Sequence, residues 1–184
     1  MKRDTHQVLS TKETKNKQTR INAKHIFHLS VINILNQLLS DEAALTYKTL
    51  NAHWNVTGPN FLGLHTFFDV QRKQLNIISA EILQRIQSLG NPSFGSFEEH
   101  LRNARLNELH KKNPSIKDLI EDHEIIIRFV RQDAKKCSVE YKDKITSIIL
   151  RNILSAHEKM VVMLRAYEQP EMIRTRSRLT QITQ

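Results

Sequence analysis

Between Phe61 and Leu89, apolar residues recur every three or four positions, and this periodicity constrains the fold more than any other feature of the chain. Such spacing forms one apolar stripe along an α-helix, which Gly90-Asn91-Pro92 then ends. Three further segments carry the same spacing: Ile26 to about Val56, a segment reaching about Cys137, and about Val139 to Tyr167. The sequence therefore predicts four long helices.

Composition and helix-start signals complete the predicted fold. Four glycines and four prolines in 184 residues leave little material for turns or β-sheet. Ser96, followed three residues later by Glu99, is a capping box that predicts a short helix, and Ser115 with Asp118 is a weaker version at the start of the third long helix. The prediction is an all-α four-helix bundle with a short extra helix in the connection between helices two and three.

The chain shows no sign of export or membrane insertion. Its first ten residues lack the apolar core of a signal peptide, and no later run of about 18 uncharged apolar residues could cross a bilayer. Cys137 is the single cysteine, which excludes an internal disulfide framework and a thiolate metal cluster. We expect a soluble, cytoplasmic protein without a membrane partner.

Positive charge is concentrated at the two ends. The net charge is +9, of which residues 1–24 hold +5 (seven basic against two acidic) and residues 170–184 hold +2 (three against one), so the residues between carry +2. The basic residues at the ends are Lys2, Arg3, Lys12, Lys15, Lys17, Arg20, Lys24, Arg174, Arg176 and Arg178. We predict a flexible basic arm at 1–25, a bundle at 26–168 and a basic tail at 169–184.

The basic ends favour duplex DNA as a partner. Each Lys or Arg that neutralises a phosphate releases counterions, which gives affinity independent of base sequence. An assembly of identical subunits displays many arms at once, so weak contacts are reinforced. No aromatic residues are interleaved to stack on single-stranded bases. The alternative is that the charged ends only keep the protein soluble.

A second signal is the stretch HWNVTGPNFLGLH, in which His53 and His65 lie on either side of a helix break at Gly58-Pro59. Asp69, four residues after His65, faces the same way on helix two. The residues are either hydrogen-bonded structural groups or ligands of a metal. Positions 80 and 84 return to the same face about 16 Å further along the helix. Only a neighbouring copy running the other way could bring both ends to one ion.

Four motifs together resemble the Dps family of miniferritins (DNA-binding proteins from starved cells). They are HWNVTGPNF with His65 and Asp69, the LG that ends helix two, LIEDHEIIIR in helix three and AHEKMVVMLRA in helix four, and they span roughly residues 27–168. The resemblance implies a ferritin-like bundle that assembles from two-fold dimers into a dodecamer, binds DNA and oxidises iron between subunits. It also implies that His53, His65 and Asp69 are ligands from one subunit, with Trp54 beside them.

The chain departs from the family pattern at the positions of the partner's ligands. Where the resemblance implies an aspartate and a glutamate, this chain has Ala80 and Gln84, and Glu81 points about 100° away. Alanine has no donor atom, and Gln84 is a weak ligand for iron. We interpret the site as altered and impaired, with one iron or another divalent ion such as zinc as possible occupants.

A further departure concerns the pore that admits iron in the family. TSIIL stands where the family often has TADLL, so Ile148 replaces an aspartate, and Asp143 or Glu140 could compensate.

Three functions follow as hypotheses. The first is a Dps-like dodecamer that binds and protects DNA, associated with the nucleoid, with iron oxidation diminished. The second is an active miniferritin that oxidises and stores iron and removes peroxide under oxidative stress. The third is a structural subunit of a mixed shell.

Overall fold

The structure, a computed structural model, describes residues 4–91, 96–106 and 113–168, with side chains from residue 25 onward except that of residue 97. In chain order, the helices of these residues are α1 (Asp4–Asn55), α2 (Phe61–Ser88), α3 (Phe97–Asn103), α4 (Ile116–Val139) and α5 (Lys144–Glu168). The predicted all-α fold, with a short helix between the second and third long ones, is confirmed. Across the described ranges no helix combines the length and apolarity that crossing a membrane requires.

The bundle is built from two helix pairs. α1 packs along α2, and α4 packs along α5. Each helix turns one apolar stripe inward, because residues three and four positions apart share a face. The largest fully buried apolar side chains are Leu35, Leu38, Leu45, Leu75, Ile82, Ile86, Leu119, Ile126, Leu150, Ile153 and Leu164. Burying one such side chain stabilises the fold by about 1.5–3 kcal/mol, so these stripes hold the bundle together.

α1 begins at Asp4, well before the predicted start near Ile26. The helix therefore includes most of the segment 1–25 that the sequence predicts to be a flexible arm. Absent apolar periodicity excludes only the burial of a face, whereas Lys, Gln and Glu favour helix in solvent as well. The division into arm, bundle and tail stays a prediction, since the side chains of residues 1–24 and all of residues 169–184 lie outside the described part of the chain.

α5 begins at Lys144, so its predicted start near Val139 is wrong. Lys142 has a left-handed backbone conformation, with φ of 57°, in the turn between α4 and α5. Asp143 then caps α5, because its carboxylate accepts hydrogen bonds from the Thr146 backbone N at 3.0 Å and from Thr146 Oγ1 at 2.7 Å. This turn uses no glycine or proline, so composition leaves no sign of it.

The capping boxes predicted from sequence are present. The Ser96 hydroxyl accepts from the Glu99 backbone N, and the Glu99 carboxylate accepts from the Ser96 backbone N, so α3 is capped reciprocally. Ser115 and Asp118 do the same at the start of α4. These bonds satisfy backbone N–H groups that have no acceptor within a helix.

The break between α1 and α2 depends on Gly58. Its φ is 98°, a conformation that L side chains rarely adopt. The carbonyl of Gly58 accepts a hydrogen bond from the Phe61 backbone N at 3.1 Å, which closes the turn into α2. Pro59 lies in this turn, just before the N-cap residue Asn60, and not in the first turn of α2 as predicted. The break reverses the chain within five residues, which brings the ends of α1 and α2 together.

Two glycine substitutions should therefore have opposite effects on stability. Gly58→Ala should lower the free energy of unfolding by about 1–2 kcal/mol, because an L residue is strained at positive φ. Gly63→Ala should raise it by roughly 0.5–1 kcal/mol, because alanine favours helix and its Cβ would lie at an ordinary 3.7 Å from the Tyr167 hydroxyl. Chemical denaturation of both variants measures the effects, and equal signs would contradict this account.

Candidate metal centre

The helix break places the imidazoles of His53 and His65 against each other. His53 is in the last turn of α1, His65 is in the second turn of α2, and their ring centroids are 3.8 Å apart. His53 Nδ1 lies 2.9 Å from the backbone carbonyl oxygen of His65. A carbonyl only accepts, so Nδ1 carries the proton. The Nε2 atom of His53 then has a free lone pair, as a metal ligand requires.

Aromatic side chains surround the two histidines. The Trp54 ring meets His53 edge-on at 5.2 Å, and the Phe61 ring lies 5.3 Å from His65. Trp54 is 72% exposed, although a tryptophan has a large apolar surface. This face of the single chain is therefore apolar next to the predicted ligands.

Asp69 is bound by two cations of its own helix. Lys73 Nζ lies 2.7 Å from one carboxylate oxygen and Arg72 Nη2 lies 2.8 Å from the other. These hydrogen bonds, that of Lys73 first, hold the pKa of Asp69 at about 2. Exposed pairs of this kind add little to stability, but both oxygens that a metal would use are occupied. The sequence analysis missed Arg72 and Lys73, whose positions three and four residues after Asp69 are the signal for such pairs.

Ala80 and Gln84 are exposed on α2, as the helical repeat predicts for the face that also carries Asp69. Glu81, between them, is only half-buried and lies to the side of that face. No carboxylate therefore replaces the two that the family pattern has at 80 and 84.

The described residues do not fit a pair of irons. Among them, no group of three or more His, Cys, Asp or Glu side chains is placed to hold a metal ion. A di-iron centre of the ferritin type uses several carboxylates, whereas this face provides one, and Lys73 and Arg72 already neutralise it. Two imidazoles and one carboxylate form a donor set for a single divalent ion.

The corner between α4 and α5 also lacks a free acid. Ile148 is 59% exposed there. Burial tends to raise the pKa of Asp143, but hydrogen bonds from Thr146 and Arg85 outweigh it and leave the pKa below its usual value. Arg85 Nη2 lies 2.9 Å from the Asp143 carboxylate, so Asp143 is engaged in the fold and does not compensate for Ile148. Glu140 is exposed and remains a candidate for that role.

The residues predicted to bind DNA lie outside the described side chains. They fall in residues 1–24 and 169–184, and their assignment stays a prediction.

Comparison with known proteins agrees with the fold and the motifs. The family model described as a ferritin-like domain matches residues 32–170. The DNA protection during starvation protein of Agrobacterium fabrum is 30% identical over 165 residues, which cover 88% of this chain and 98% of that protein. An uncharacterized low temperature-induced protein of Nostoc sp. is 34% identical over 147 residues, covering 78% of this chain and 82% of the relative.

A solved structure leads to the same family. The Dps protein of Vibrio cholerae superposes with a TM-score of 0.72 at 25% identity, covering 78% of this chain and 92% of that one, and is described as a member of a broad superfamily of ferritin-like diiron-carboxylate proteins. With the HWNVTGPNF motif and the His53–His65 geometry, these matches establish that the chain belongs to the Dps family of miniferritins within the ferritin-like superfamily.

Proposed function

We propose that this protein forms a Dps-like dodecamer that binds and protects DNA through its basic arms, while its inter-subunit ferroxidase site is impaired. We place it in the cytoplasm, associated with the nucleoid. The observation that carries the proposal is the charge distribution: the ends hold +7 of the net +9, and the body of the chain is nearly balanced. Relatives named DNA protection during starvation proteins support it.

The arms are suited to hold duplex DNA by its phosphates. Phosphate contacts supply sequence-independent affinity, which falls steeply with salt concentration. A single arm with a net charge of +5 binds weakly. Repeating it around a closed shell raises the effective concentration of arms at the DNA, so the assembly binds far more tightly than the chain.

An exposed apolar face supports the two-fold contact. Trp54, Leu62 and Ile77 are 72%, 76% and 60% exposed, and they border the face of His53, His65 and Asp69. Such surfaces on a single chain mark places that other protein covers. Covering them with a second copy would also complete the half-built metal site, as the family resemblance implies.

The assembly is tested by light scattering on the purified protein. We expect a particle with twelve times the mass of the chain. Replacement of the exposed Leu62 by Asp should split it into smaller species, because it buries a charge in the contact. A protein that never assembles alone would instead favour a structural subunit of a mixed shell, and adding a Dps relative would then restore the particle.

Impairment of iron oxidation is proposed from the donor set. Ala80 and Gln84 remove two anionic ligands, and Asp69 is neutralised by its own neighbours. Nothing in the described residues favours zinc over iron, so zinc is not part of the proposal.

One observation favours the rival, an active miniferritin that oxidises and stores iron. His53 is held with Nε2 free, the orientation of a functional ligand. The two functions differ in whether the histidines matter: substituting them slows iron oxidation only in an active enzyme.

A further inference from the structure

The core of the bundle contains a row of three hydrogen-bonded ionisable side chains from three helices. Glu42 lies on α1, His123 on α4 and His157 on α5, and all three are fully buried. His157 Nε2 lies 2.8 Å from Glu42 Oε1, and His157 Nδ1 lies 2.9 Å from His123 Nδ1. We call this set the buried row.

Both ends of the buried row lack a hydrogen-bond partner. Glu42 Oε2 and His123 Nε2 are buried atoms without a partner in the described structure. Packing alone would favour apolar side chains at these positions, because a polar atom without a partner in the core costs free energy. The row is therefore polar where the fold gains nothing from polarity at its ends.

The distance between the two imidazoles limits how many protons the row can hold. A 2.9 Å contact between Nδ1 atoms needs one proton between them, one nitrogen donating and the other accepting. If both imidazoles were charged, both Nδ1 atoms would carry a proton, and the bond would become a repulsion. The folded row thus accommodates a proton charge on at most one of its two histidines.

The unfolded chain has no such limit. Both histidines have ordinary pKa values of about 6.5 there, so both become charged in mild acid. Burial, with the neighbouring His157, lowers the pKa of His123 in the folded protein. Between about pH 6.5 and the lowered pKa, the unfolded state therefore binds more protons, and stability falls as the pH falls.

Other charged groups near the row are closed on their own partners. Lys48 of α1 holds Asp122 of α4 at 2.8 Å, and Arg105 holds Asp41 of α1. On α5, the neighbouring Glu158 is an exposed partner of Arg131 of α4. These pairs surround the row on each helix packed against α4, and none makes a hydrogen bond to it. Acid above about pH 5 thus acts on the two histidines.

We propose that Glu42, His157 and His123 form an acid-sensitive latch in the bundle core, which joins α1 to α4 and α5 at neutral pH and is broken by proton uptake in mild acid. The latch is separate from the metal site and from the arms. It links the stability of each subunit to pH, with a tenfold loss in the folding equilibrium constant per pH unit for each proton taken up.

The test counts the protons taken up when the full-length protein unfolds at pH 5.5. Concentrated guanidinium chloride unfolds the wild type and a His123→Asn variant, and the acid needed to hold the pH is measured. Asn presents an amide in the place of Nδ1, keeps the hydrogen bond to His157 and cannot be charged. We expect the variant to take up close to one proton fewer per chain. His25→Gln, at an exposed position, should take up the same number as the wild type.

A second measurement covers the case in which His123→Asn does not fold. Hydrogen exchange at the imidazole C–H group, read by mass spectrometry on the intact wild-type assembly, reports the protonation of each histidine. We expect the exchange of His123 to show no titration between pH 8 and about 5.5. Equal proton uptake by wild type and His123→Asn, or a His123 titration near its ordinary pKa in the folded assembly, would overturn the proposal.

Discussion

Removal of residues 1–24 is expected to abolish the electrophoretic shift of linear duplex DNA at low salt. The deletion takes away seven basic residues and leaves a body with little net charge. Each lost phosphate contact also removes its counterion release, so the dependence of affinity on salt should flatten by about 0.9 in the slope of log K against log salt per contact. We expect at least a hundredfold loss of affinity, because the contacts act together through many arms.

Two controls separate charge from chain length and assembly. A full-length variant in which the seven basic residues of 1–24 are replaced by Gln keeps the length of the arm, and it should lose binding as the deletion does. A deletion of 170–184 removes +2 and should weaken binding less. Light scattering confirms that each variant still forms the shell. Full binding by the 1–24 deletion would disprove the role of the N-terminal arm.

The second large effect is a gain of iron oxidation when the missing carboxylates are restored. Ala80→Asp/Gln84→Glu gives α2 the two ligands that the family pattern has at these positions. We expect peroxide-driven oxidation of ferrous iron to accelerate by tenfold or more, because a carboxylate stabilises the ferric product far better than an amide or a methyl group. Initial rates are followed by absorbance at substoichiometric iron.

The wild type is compared with His53→Ala/His65→Ala in the same assay. If the native site is impaired, both proteins oxidise iron at the same slow rate. Gln74→Glu, which adds a carboxylate in the groove between α2 and α5, controls for charge alone and should leave the rate unchanged. A wild-type rate far above that of the double histidine variant would show that the site works as it stands, and the rival function would replace ours.

The long helices were predictable because burial leaves a periodic record in the sequence. The stripe on α2, with Leu75, Ile82 and Ile86 fully buried, is directly visible as three- and four-residue spacing. The start of α5 was not predictable, because Lys142 adopts a left-handed conformation without glycine. Local backbone choices of this kind depend on the contacts around them, here the cap that Asp143 makes on Thr146.

The candidate site was predictable only in part. His53 and His65 are close because the helix break between them is encoded locally, at Gly58. The cations on Asp69 had a visible signal in their spacing, which went unused. Glu42 and His157 are 115 positions apart, and no local pattern indicates that two helices will bring them within 2.8 Å. Interactions between distant helices require the packed structure.

The central claim is that the contact between two copies of this chain is a metal site without its second set of ligands. The most direct measurement is anomalous scattering at the iron edge from a crystal soaked in ferrous iron. We predict a symmetric dimer in which each two-fold contact shows at most one weak iron peak beside His53 and His65. Two strong, oxygen-bridged iron peaks at that contact would contradict the account.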